Sequence, residues 1–212
     1  MTELIYKNKV IEPPYLVRKY GVSEEEFDRF TDEDIKADLL DGVLIIHSPA
    51  SIRHEDLFGF LYFLIRGYAE HRELGKVFGS RATMHLAYCR KFEPDILFIR
   101  SEKLDMLRQN QLEGPADMVV EILSEGTKEY DLKEKRPIYQ EAGIEEIWFV
   151  DDEERRILID RKCEDGYTTE TVVLGRAKSQ VIPGFFVEAE WLWKEKLPEP
   201  SFCLREILEA GG

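Results

Sequence analysis

The sequence predicts an α/β protein of the mixed α+β kind: a central mixed β-sheet flanked by helices, with a β-hairpin extension. Three observations predict it. The periodicity of the chain runs hairpin, long helix, strands, a strand–helix–strand unit and a second hairpin, an order that stacks helices on a sheet. The strand–helix–strand unit at 117–151 requires a parallel strand pair joined by a right-handed crossover. The segments 155–162 and 167–174 alternate in polarity on either side of "CEDG", which reads as the hairpin extension. The 212 residues, 43% hydrophobic and 34% charged, suit one folded domain with a real core. We divide the chain into a lead-in at 1–22, a main domain at 23–196 and a C-terminal tail at 197–212.

The elements follow in order. The lead-in contains Pro13-Pro14 and reads as extended. Ser23 with Glu26 three residues later forms a capping box, so a short helix begins there. "TDED" at 31–34 reads as a further helical turn. Asp41-Gly42 lies between apolar runs and predicts a tight type I′ hairpin. Apolar residues at 57, 58, 61, 64, 65 and 68 have helical spacing and predict a helix over 51–73 that lies on the sheet. "KVFGSRATMHLAY" and "FEPDILFIRS" read as strands joined by a short turn, and a helix is expected in "SEKLDMLRQN". The strand "MVVEIL" leads through the turn "SEGT" into a helix from Asp131 to Ala142, which Gly143 ends. "EEIWFVDD" is the next strand, "IPGF" a turn and "AEWLWKE" a short helix. A helical tail is expected over 203–210.

Composition excludes some functions. A net charge of -14 opposes broad, non-specific binding to nucleic acid, although a local basic cleft is compatible with it. Cys89, Cys163 and Cys203 have no C-x-x-C spacing and read as free thiols of a reducing compartment. The first residues form no apolar core of a signal peptide, and no apolar run reaches the roughly 18 residues a membrane span needs. A cytoplasmic location away from membranes is expected.

Within this apolar framework two acids stand out. Alternation places Val119, Glu121 and Leu123 on one face of their strand and Met118, Val120 and Ile122 on the other. Both faces are apolar, so the strand is central. A carboxylate there is costly unless it is paired or holds a metal. Asp95 begins another apolar strand, with Leu97 and Ile99 on its face. Two acids at the ends of neighbouring strands can share one hard divalent cation such as Mg²⁺. In the helix that follows, spacing puts Asp131, Lys135 and Tyr139 on one face, so Lys135 can point back at Glu121, while Lys133 and Arg136 face solvent. Taken singly, each residue also has an ordinary reading: a strand acid paired with an arginine, a turn aspartate after Pro94, a solvated lysine.

The run "PDILFIR … PADMVVEILSEGTKEYDLKEKRPIYQEAGIEEIWFVDD" closely resembles the Uma2 family (DUF820). "DLLDGVLIIHSPAS", His54 at the start of the long helix, and Pro183-Gly184-Phe185 follow the same layout, over roughly 23–195. Members of that family look like divergent PD-(D/E)xK nucleases, so the resemblance implies a restriction-endonuclease-like fold. It makes Asp95 and Glu121 the metal-binding acids. An ordinary nuclease of this kind carries its lysine two positions after the second acid, where this chain has Leu123. The family's displaced lysine corresponds to Lys135. Asp38 stands where the family usually carries a glutamate, one methylene longer, and His54 and Asp131 also match family positions.

The resemblance thus implies metal-assisted phosphodiester hydrolysis, with Mg²⁺ or Mn²⁺ on Asp95 and Glu121, Lys135 at the attacking water or the developing charge, and DNA as the substrate. The alternative is a catalytically inactive binding or regulatory module that retains the fold, since fold does not fix activity. The basic residues available for DNA are few: Arg53 and His54, Arg81, Arg90 with Lys91, and Lys133 to Arg136. Phe186, Trp191 and Trp193 suggest an apolar contact face, and with it a homodimer.

Overall fold

The computed structural model describes residues 4–6, 9–31, 35–79 and 81–211. Strands β1 (Leu4–Tyr6) and β2 (Lys9–Ile11) form a small antiparallel ribbon. β3 (Leu16–Tyr20) precedes α1 (Glu24–Phe30), where both halves of the Ser23–Glu26 capping box are present. Apart from Thr31, which caps the end of α1, the stretch read as a further turn lies outside the described residues. β4 (Ala37–Leu40) and β5 (Val43–His47) are the predicted hairpin, with positive φ at Asp41 (48°) and Gly42 (80°), as a type I′ turn requires.

The long helix α2 (Ile52–His71) starts at Ser51, whose hydroxyl accepts the His54 N–H. β6 (Gly75–Gly79), β7 (Thr83–Ala87), β8 (Arg90–Phe92) and β9 (Ile96–Arg100) follow. A 3₁₀ turn at Ser101–Met106 and β10 (Gln111–Glu113) lead to β11 (Met118–Leu123). The helical stretch after it has three parts: α3 (Lys128–Tyr130), a π turn (Asp131–Lys135) and α4 (Arg136–Glu141). It ends at Gly143, whose φ is 81°. β12 (Glu146–Asp151), the hairpin β13 (Arg156–Cys163) and β14 (Gly166–Val172), and the pair β15 (Arg176–Lys178) and β16 (Phe186–Glu188) complete the strands. The chain closes with α5 (Ala189–Leu192) and α6 (Pro200–Ala210).

The strands divide over two six-stranded mixed sheets, of order β10-β7-β8-β4-β5-β3 and β14-β13-β12-β11-β9-β6. Two runs read as single strands are therefore broken. The N–H groups of Arg81 and Ala82 both fold back on the Gly79 carbonyl, which turns the chain from β6 into β7. Between β8 and β9 lies Pro94, which has no N–H for a ladder. Asp95 stands at this break, one residue before β9.

β11 is central, as its two apolar faces predict. It pairs parallel with β12 and antiparallel with β9. Met118, Val120 and Ile122 pack with Leu57, Leu61, Leu64 and Tyr68 of α2. Val119 and Leu123 join a second core with Met84 and Phe92 of the other sheet and with Tyr139 of α4. Burial of side chains of this size contributes about 1.5–3 kcal/mol each, and here it acts on both faces of one strand. The tail helix α6 seats Cys203 and Ile207 in the α2-side core. Phe186 is buried there too, and Trp191 and Trp193 lean on the same core, so these rings are largely used within the chain. All three cysteines are free, and among the described residues no helix is long and apolar enough to cross a membrane.

Candidate active site

The break before β9 and the middle of β11 meet by register. Ile96 pairs with Val120 in the antiparallel ladder, so Asp95 falls beside Glu121. Asp95 is buried, and its carboxylate is engaged on both oxygens. Oδ1 accepts from Lys36 Nζ at 2.5 Å, and Oδ2 accepts the Ile122 N–H at 2.7 Å, with His54 Nε2 3.3 Å from it. Glu121 Oε1 accepts from Lys135 Nζ at 3.1 Å and from the Tyr139 hydroxyl at 2.7 Å.

Lys135 is 1% exposed and serves three acids at once, because its Nζ also lies 3.3 Å from Asp131 Oδ1 and 3.4 Å from Asp38 Oδ2. Asp38 is tied further by His47 Nε2 at 2.8 Å, the Tyr130 hydroxyl at 3.1 Å and the Glu93 N–H at 2.8 Å. The six residues singled out in the sequence, Asp95, Glu121, Lys135, Asp38, His54 and Asp131, therefore lie in one buried cluster.

The π turn explains how Lys135 reaches so far inward. Pro137 cannot donate a hydrogen bond within the helix, and just before it the ladder slips so that the Arg136 N–H bonds to the Asp131 carbonyl. The spacing of Asp131, Lys135 and Tyr139 survives the slip and points all three side chains at β11. Arg136, read as solvated, instead pairs through Nε and Nη2 with the buried Asp160, both at 2.6 Å. A guanidinium matches that carboxylate in a fork that water would otherwise have to fill.

The electrostatics separate the acids. Burial pushes Asp95 upward, but the Lys36 ammonium and His54 outweigh it and hold its carboxyl well below the usual range. Asp38 is likewise held low, burial being overcome by Lys135 and His47. At Glu121 burial prevails over Lys135, and Asp131 and Asp95 add to it, so its carboxyl is pushed up to about 7. Lys36 and Lys135 are raised, because nearby carboxylates overcome the burial that opposes their charge. His54 is raised as well: burial opposes its charge, but the hydrogen bond and charge of Asp95 outweigh it.

Sequence reasoning missed Lys36, His47, Tyr130 and Glu93. Lys36 and Asp38 are two apart at a strand start, so they share a face, and that was the available signal. Most of the basic residues offered for DNA are committed elsewhere: Arg53 pairs with Asp152, Arg90 with Asp41 and Glu141, Lys91 with Asp28, and Lys133 with Glu129, while Lys135 and His54 sit in the cluster itself.

Among the described residues no group of three or more His, Cys, Asp or Glu side chains is arranged as a ready metal cage. The donors that do converge, two carboxylates from adjacent strands, suit a hard divalent cation completed by water and substrate oxygens. No hydrogen bond from a described residue reaches Glu121 Oε2, so one of those oxygens is uncommitted. The Lys36 ammonium is the group that shares Asp95 with any such cation.

The chain is thus a mixed-sheet domain of two six-stranded sheets, in which Glu121 of the central strand and the adjacent Asp95 face a helix-borne lysine. The chain belongs to the Uma2 family, described as "putative restriction endonuclease", whose family model matches residues 24–190. It shares its fold with a crystal structure from Anabaena variabilis described as "a putative nuclease belonging to DUF820", at a TM-score of 0.70 and 14% identity, over 81% of this chain and 97% of that one. No curated protein matches the chain.

Proposed function

We propose that the chain is a metal-dependent nuclease that hydrolyses phosphodiester bonds in DNA. The observation that carries this reading is the 3.1 Å contact of Lys135 with Glu121, beside Asp95, on the strand where a lysine is otherwise missing. Asp95 and Glu121 would hold Mg²⁺ or Mn²⁺, which when bound activates a water and offsets phosphate charge. Lys135 supplies a fixed positive charge in a buried setting, where charge acts strongly on a phosphate. Asp131 and Asp38 hold that ammonium in place, and His54 orients Asp95. Tyr139 donates its hydroxyl to Glu121 Oε1, the oxygen that Lys135 also reaches, and so holds that carboxylate in place.

One observation favours the second reading, a non-catalytic module. The 2.5 Å contact of Lys36 with Asp95 neutralises the first acid without any metal ion. The two readings separate in one assay of single-stranded and duplex DNA with Mg²⁺ or Mn²⁺, comparing wild type, Glu121→Gln and Lys135→Ala. Cleavage lost in both variants supports the nuclease. No cleavage by wild type on any of these substrates favours the module, and cleavage that survives both substitutions removes this site assignment.

A further inference from the structure

A cleft of about 1120 Å³ opens between α2, β6 and the loop before β10. That volume exceeds the usual small-molecule pocket of about 300–1,000 Å³ and suits a polymer segment. We propose that it binds single-stranded DNA, stacking bases on Phe58 and Tyr62 while Glu93 takes a hydrogen bond from a base edge.

The wall of the cleft is aromatic. The Phe58 and Tyr62 rings stack with centroids 5.5 Å apart and planes 21° from parallel, and Phe78 lines the cleft next to them. Both rings are half-buried and line the cleft, and the Arg66 guanidinium lies 5.7 Å from the Tyr62 ring centroid, a cation beside the stack. Their position depends on Gly79, where an added Cβ would lie 2.9 Å from the Phe58 Cζ. Stacked rings are how proteins hold successive unpaired bases without reading a duplex.

Glu93 also lines the cleft, and here lies the observation that points to a ligand. Its side chain is 7% exposed, and its Oε2 is buried with no hydrogen bond from a described residue. Arg81 Nη1 stands 3.8 Å from that oxygen, beyond hydrogen-bond reach, and Thr83 Oγ1 is 3.5 Å from Oε1. A buried carboxyl oxygen left so is unusual in a folded protein. The exocyclic amine of a base is a donor that fits it; carboxylates accept from cytosine N4 in this way.

The phosphates have a partner of their own at the rim. The exposed Arg108 bonds to the carbonyls of Asp105 and Leu107, which leaves its charge uncancelled by those contacts. One strand held by stacking and few cations is also what a chain of net charge -14 tolerates better than a duplex with two phosphate backbones. Finally, Glu93 joins the cleft to the site: it lines the cleft, and its N–H donates to Asp38 Oδ1 at 2.8 Å. The choice of DNA rests on the nuclease reading; the stacking and the Glu93 acceptor do not.

The test is fluorescence anisotropy with labelled oligonucleotides of about 12 nucleotides, in EDTA so that no metal-dependent cleavage occurs. Wild type should bind single-stranded DNA more tightly than the same sequence as duplex or as RNA. Tyr62→Ala and Phe58→Ala should each weaken binding about five- to a hundredfold, and Tyr62→Trp should retain it. Glu93→Gln should change the preference among homopolymers, least for oligo-dT, which has no exocyclic amine. Melting curves identify any variant that fails to fold, and Tyr62→Ala against Tyr62→Trp still decides if Phe58→Ala does. No binding by wild type, binding unmoved by both alanine variants, or equal or better binding of duplex or RNA overturns the proposal. Cleavage in Mg²⁺ is read separately: cutting without single-strand binding sinks the cleft and spares the nuclease, and binding without cutting does the reverse.

Discussion

Replacing Lys135 with methionine removes one ammonium from three buried carboxylates. Asp38 retains His47, Tyr130 and the Glu93 N–H, and Glu121 retains Tyr139. Asp131 loses the cation that faces its otherwise unbonded Oδ1. Removing one partner of a buried ion pair costs about 3–5 kcal/mol. The pH dependence follows from Glu121, which sits at about 7 in the fold against 4.5 outside it. Lys135 is the strongest influence pulling it down, so its loss moves the carboxyl higher still. A carboxyl raised on folding is compatible with full stability below its unfolded value and costs stability as pH rises through the folded value. Near pH 5 Glu121 is protonated in both proteins, and the deficit of Lys135→Met should be about 1–2 kcal/mol, from Asp131 and Asp38 alone. Near pH 8.5 wild type ionises Glu121 against an ammonium and the variant cannot, so the deficit should grow to about 3–5 kcal/mol. Urea unfolding followed by tryptophan fluorescence, to which the buried Trp148 contributes, measures both. Adding Glu121→Gln to the variant should recover at least half of the deficit near pH 8.5. A deficit that is the same at both pH values, or no recovery in the double variant, would refute the shared-ammonium account.

Other perturbations test neighbouring parts. Glu93 is pushed by burial up to about 7 from 4.5, so the native state loses stability as pH rises between those values. At 1.36 kcal/mol per pH unit that gap is worth about 3 kcal/mol, and Glu93→Gln should gain up to that much on wild type between pH 4.5 and 8.5 in unfolding titrations. Arg136→Met should destabilise by about 2–4 kcal/mol, since Asp160 keeps Thr169 at 2.7 Å and Gln140 at 2.8 Å but loses its cation. Pairing it with Asp160→Asn should restore most of that loss, and a thermal melt of the set reads it out. Gly42→Ala should cost about 1 kcal/mol, because φ is 80° there while the nearest atom to a new Cβ, the Val22 carbonyl oxygen, is an easy 3.7 Å away. A cost near zero would mean the hairpin turn relaxes.

What was legible in the sequence was the part set by short-range pattern. Alternation in "MVVEIL" showed a strand buried on both faces, and the parallel unit with β12 followed from the helix between them. Asp41-Gly42 and Ser23–Glu26 announce their turn and cap through backbone chemistry that needs no tertiary context. The division into two sheets was hidden, because it is made by small interruptions, at Arg81-Ala82 and at Pro94, inside runs whose residues all favour strands. Lys36 was hidden for a different reason. A lysine at a strand entry looks solvated until the fold brings β9 across it, and only the pairing of distant segments puts its ammonium on Asp95.

The acids show most clearly what sequence can and cannot separate. Glu121 drew notice as a carboxylate in an apolar strand, yet Asp117, Glu146 and Asp160 sit in or beside the same sheet and are buried as completely. Each of those is satisfied by structural means: Asp117 by Arg100 and Lys103, Glu146 by Arg161, Ser179 and the Trp148 indole, Asp160 by Arg136. Each of the three meets an arginine, which on Asp160 grips both oxygens in a fork, and such planar guanidinium contacts leave little for a ligand. Among the described residues Glu121 meets no arginine. Its partners are a lysine and a tyrosine, both on one oxygen, and its neighbour Asp95 meets a lysine and a histidine. Lysine and imidazole are point donors that a cation or a phosphate can displace or share, so the chemistry of the partners, more than the burial of the acid, marks where this fold leaves room for a substrate.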